Sequence, residues 1–106
     1  MSEQDYPTAE DLAKIEQWPA TDIAGCLDFV KALWHYPDAA THDISAHEAS
    51  VLRAGKQDRY LRLATMGWSG NESIILAMQE NLYVQLVAWQ LSARGGLHIY
   101  RYPEAK

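Results

Sequence analysis

Residues 81–102 read NLYVQLVAWQLSARGGLHIYRY, and the way this stretch divides decides the fold. It is rich in β-branched and aromatic residues, which suit a pleated, half-buried surface. The spacing predicts two strands joined across ARGG, with Gly95 and Gly96 as a two-residue turn, because both turn positions need positive φ and glycine reaches it without steric cost. That turn would set the register. Trp89 would pair with Tyr102 and Leu91 with Tyr100, placing these four on one face, while Gln90 with Arg101 and Ser92 with Ile99 share a more polar face. Packing under helices is the expected role of the aromatic face. Its other use, a platform that stacks nucleic-acid bases, suits an exposed sheet and meets an acidic chain that phosphate would repel, so direct nucleic-acid binding is not expected.

Upstream, RYLRLAT alternates as a half-buried strand does, with Leu61 and Leu63 on one face and Tyr60 and Arg62 on the other. GWSGNESI, residues 67–74, then turns the chain into a helix whose buried stripe is Ile74, Ile75 and Met78, with Asn81 closing it in a left-handed conformation. The octapeptide invites a catalytic reading. A nucleophile elbow, however, needs a glycine two residues after its serine, whereas Gly70 follows Ser69 directly. A phosphate loop would need its lysine, which is missing. A capped corner remains: Ser69 and Glu72 match the S-x-x-E box, Gly67 and Gly70 permit the sharp turn, and Trp68 is either an anchor or an exposed contact.

The first half of the chain reads as short helices. Thr8 with Asp11 starts one that Pro19 ends; Asp22 caps a second, whose stripe is Ile23, Cys26, Leu27, Val30, Leu33 and Trp34; Ser45 with Glu48 boxes a third over 46–54, stopped by Gly55, with extended chain as its alternative. Cys26, the single cysteine, lies on the apolar stripe and is expected to be core rather than nucleophile. His35, Asp38, His42, Asp43, His47 and Glu48 crowd one segment, and a helix over 43–54 would set Asp43 and His47 one turn apart, as a chelating pair. No H-E-x-x-H or cysteine pair accompanies them. No metal or other cofactor is therefore expected, and a metal site or small metal-dependent enzyme built on His42, Asp43, His47 and Glu48 is the alternative.

The fold expected is α+β and a single domain over 1–106: a flexible lead at 1–7, an acidic helical half at 8–56, and a strand-helix-hairpin half at 58–103 giving a mainly antiparallel three-stranded sheet with the helices on one face. Charge divides along the same line. The 106 residues carry a net charge of −5, yet residues 1–50 hold ten acidic side chains against Lys14 and Lys31, and residues 51–106 hold four against seven basic ones. The start MSEQDYPTAEDL has no basic-then-apolar leader and no apolar run reaches the roughly 18 residues of a membrane span, so a cytoplasmic protein without membrane contact is expected.

The order strand, GWSGNESII, helix, aromatic strand, S-x-R-G-G, strand, over residues 60–102, resembles a family of small uncharacterised proteins encoded by bacteriophages and prophages. This chain departs from the pattern in having Thr65-Met66-Gly67 where a pair of glycines is expected. The resemblance implies an accessory factor in the cytoplasm of a bacterial host and brings no catalytic residues with it. Such factors commonly occlude a host protein, including components of CRISPR and other defences. A non-enzymatic binding protein is the reading that follows, in which Glu10, Asp11, Glu16, Asp22 and Asp28, with Trp68, meet a host protein or nucleoprotein complex of basic surface. Homodimerisation through the aromatic hairpin edge or Trp68 is the competing structural reading.

Overall fold

A computed structural model describes residues 7–35 and 37–103. Of the lead expected at 1–7, only Pro7 lies within them. Helix α1 (Ala9–Glu16) starts where Thr8 and Asp11 cap each other's backbone amides, and α2 (Ile23–Leu33) where the Asp22 carboxylate accepts from the Gly25 amide. A short strand β1 (Ala40–Thr41) follows, then α3 (Ala46–Leu52) with its reciprocal Ser45 and Glu48 box. Strand β2 (Tyr60–Ala64), helices α4 (Ser69–Glu80) and α5 (Leu82–Val87), and strands β3 (Trp89–Ala93) and β4 (Leu97–Arg101) come next.

The fold is α+β, with a four-stranded antiparallel sheet in the order β1-β2-β4-β3 rather than three strands. Two residues on β2 recruit the extra one, Ala40 pairing with Leu63 and Thr41 with Arg62. Leu61, Leu63 and Tyr100 share a face and join Ile15, Cys26, Leu27, Val30, Ile74, Met78 and Val84 in one core, so α1, α2, α4 and α5 pack on that side. The opposite face is not bare: Tyr60 and Ile99 are buried outside that core, and Arg62 reaches α3 through Glu48. The helices therefore divide between the two faces instead of gathering on one.

The division of residues 81–102 is the main departure from expectation. Residues 82–87 are helix, because the Asn81 carboxamide oxygen accepts from the Tyr83 and Val84 amides, while its NH2 donates to the carbonyls of Ile15 (2.9 Å) and Trp18 (3.2 Å). A buried cap tied to α1 outweighs the β preference of LYVQLV. Asn81 is accordingly extended (φ −92, ψ 102), not left-handed.

The hairpin register moves too. Ala93 pairs with Leu97, leaving Arg94, Gly95 and Gly96 as a three-residue turn, and an irregularity between Trp89 and Leu91 places Trp89 against Tyr100 and Leu91 against Ile99. Gly95 (φ 85) and Gly96 (φ 83) do supply the left-handed turn. A Cβ on Gly96 would also strike the Thr65 hydroxyl, which the two-residue turn did not anticipate. Helix α3 stops at Arg53 (φ 54) rather than at Gly55.

At the corner, Trp68 is the residue before α4 and Ser69 is already helical, so no Ser69–Glu72 box forms. Asn71 does the fastening instead. Fully buried, it accepts from the His35 amide (3.0 Å) and donates to the carbonyls of His35 (3.0 Å) and Thr65 (3.4 Å), joining the end of α2 to the corner. Gly67 (φ 73) makes the turn, and Gly70 lacks the Cβ that would collide with the Trp68 ring.

Candidate functional site

The acidic side chains singled out from sequence are largely engaged by the fold. Asp11 caps α1, and Asp22 accepts from both the Gly25 amide and the Trp18 indole (3.2 Å). Asp28 accepts from the Tyr102 hydroxyl at 2.8 Å, and His42 Nε2 lies 3.2 Å from the same oxygen. Because that hydroxyl gives its proton to Asp28, the imidazole must donate. Burial first, and then this bond to Asp28, hold the Tyr102 phenol well above its ordinary range. Glu10, Glu16, Asp22 and Asp28 are all exposed, and Asp11 is half-buried. The acidic side keeps its carboxylates in solvent, three of them also committed to bonds within the fold.

Nor do the residues of the alternative metal cluster converge. Among the described residues, no three His, Cys, Asp or Glu side chains gather in a way that could hold a metal ion. Glu48 turns inward to Arg62, whose Nε and Nη2 reach it at 3.0–3.2 Å, and that bond holds its carboxyl below the usual range. Cys26 is fully buried, and burial followed by the nearby Asp22 pushes its thiol up to about 12, which leaves it inert as a nucleophile. Trp68 is half-buried, stacked on His35 at 4.1 Å between ring centroids, and acts first as an anchor between α2 and α4.

A cleft of about 770 Å³ opens between residues 20–24, residues 57–59, Val87 and Tyr102, with Arg59 lying 4.2 Å over the Tyr102 ring. Its carboxylates already have partners. Asp58 accepts from the Gly55 amide (2.8 Å) and faces Arg101 at 3.8 Å, so the cleft offers mixed walls without a converging set of reactive groups.

The feature that sequence reasoning missed is apolar. Leu82, Tyr83, Leu86 and Val87 on α5 and Trp89 on β3 are 62%, 53%, 73%, 45% and 41% exposed, while Val84 and Ala88 form the helix's buried side. Helix α5 packs on α4, where Leu76 is also exposed, and runs through Ala88 into β3, the outermost strand of the sheet. The Trp89 ring is held in place: its indole N–H donates to Ser92 Oγ (2.9 Å), which lies 2.8 Å from His98 Nδ1. Burial depresses His98, favouring the neutral ring in that chain of bonds. A helical wheel of LYVQLV would have shown apolar residues on every side but that of Gln85, more than one buried stripe can use. Reading the segment as strand concealed this.

No described helix is long and apolar enough to cross a membrane. Comparison of the chain with protein-family models, curated proteins and solved structures finds no match.

Proposed function

We propose that the chain is a non-enzymatic protein-binding module whose contact surface is the apolar face of α5 together with the β3 edge. One observation carries this: a run of five large apolar side chains, unbroken by any charge, stands in solvent beside an open sheet edge. Single exposed hydrophobics are ordinary, but a contiguous apolar surface of several hundred Å² marks an interaction site. The polar groups that might have served chemistry are paired with one another, which also favours binding over catalysis.

The phage resemblance favours one form of this function, an accessory factor that occludes a host protein such as a CRISPR or other defence component. The apolar face would then anchor the complex, and exposed Glu10 and Glu16 would face basic parts of the partner. Capture from a bacterial lysate tests the assignment of surface. Leu86→Asp should abolish retention of proteins held by the wild-type chain, whereas Glu10→Lys with Glu16→Lys should only change its salt dependence. Retention unaffected by Leu86→Asp but lost with the two lysines would return the site to the acidic side.

A further inference from the structure

We infer that the α5 and β3 face is covered by a second copy of this chain in place of a host protein, the two copies related by a twofold axis beside the β3 edge; this rests on reading that face as a docking surface. Charge argues for it. The chain carries a net −5, so one copy repels another wherever acids face acids. A twofold interface sets the same patch against itself, and LYVQLV and WQLSA contain no ionisable group other than the Tyr83 phenol. The α5 and β3 part of the patch can meet its own image without like-charge repulsion, and the exposed Glu72 and Glu80, one turn either side of Leu76, stand at its rim.

The edge argues the same way. Monomers blunt an exposed edge strand with charge, proline or shortness. The β1 edge is two residues long, whereas β3 has five residues with neither charge nor proline. The irregularity lies between Trp89 and Leu91, and Leu91 to Ala93 pair regularly with β4 in a strand at the end of the sheet order.

Area supplies the third argument. Leu76, Leu82, Tyr83, Leu86, Val87 and Trp89 are between 41% and 73% exposed. At roughly 200 Å² or less for a large side chain, they present on the order of 600 Å², most of the ~800 Å² per partner that a stable interface buries. An anionic membrane is a poorer occupant, since α5 has no lysine or arginine for headgroups.

The test is the solution mass of the full chain by sedimentation equilibrium. The expected result is a species of twice the 12.0 kDa chain mass at tens of micromolar, reduced to the single chain by Leu86→Asp, with association at least about 100-fold weaker. Val51→Asp, which places the same charge at a 54% exposed apolar position on α3, should leave the dimer intact. Circular dichroism confirms that both variants fold. A wild-type chain that stays monomeric up to about 1 mM overturns the inference, as does a dimer that survives Leu86→Asp. Monomeric wild type whose lysate partners are still lost with Leu86→Asp would sink the dimer and leave the docking surface standing.

Discussion

On the α1 and α2 side of the molecule, acidic side chains hold the fold together: Asp11 and Asp22 cap helices, and Asp28 ties α2 to Tyr102 at the end of the sheet. On the α5 and β3 side, large apolar side chains stand in solvent, Trp89 with its indole N–H on Ser92. Residue type alone would assign the roles the other way round, acids to the partner and leucines to the core. The difference teaches that a side chain's availability, rather than its chemistry, marks a contact surface. Carboxylates that cap helices keep their charge but have fewer lone pairs left for a partner, whereas the exposed apolar groups are wholly available to one.

Asn81 joins the two regions, and removing it should have the largest effect. Asn81→Ala strips the α5 cap and leaves the Ile15 and Trp18 carbonyls without their donor, for an expected loss of about 3 kcal/mol in urea unfolding. Leu86→Asp sharpens the contrast: at 73% exposure, and at a dilution where the wild type is a single chain, its unfolding free energy should move by no more than about 0.5 kcal/mol while association is lost.

The ion pair of buried Glu48 with the half-buried Arg62 gives a pH signature. Arg62 holds the Glu48 carboxyl below its ordinary 4.5 in the folded chain, so its contribution is present above that value and disappears as pH falls through the folded value. Glu48→Gln should cost about 1–2 kcal/mol at neutral pH, and flatten the acid limb of a thermal-melt profile. Asp28→Ala should cost about 1 kcal/mol and bring the Tyr102 phenol down toward its ordinary range in an ultraviolet titration. Smallest of all, Glu10→Lys with Glu16→Lys should leave stability within about 0.5 kcal/mol, because both are exposed.

Local signals made the helix starts legible. Thr8 with Asp11, Asp22, and Ser45 with Glu48 are caps whose partners lie three residues away, and all three form as spacing predicts. The alternation of Leu61 and Leu63 against Tyr60 and Arg62 is local as well. What escaped depends on contacts distant in sequence. The cap that turns 82–87 into helix works with carbonyls more than sixty residues upstream, and β1 exists only because Leu63 and Arg62 lie beside it. The apolar face was hidden by the same error, since a strand reading of LYVQLV places every other residue in the core.

Amide hydrogen exchange on the chain alone at high dilution, and again in whatever complex it forms, tests the central claim most directly. The account predicts new protection across residues 82–93, with residues 9–28 unchanged. Protection confined to residues 9–28, with 82–93 still exchanging as in the dilute chain, would contradict it.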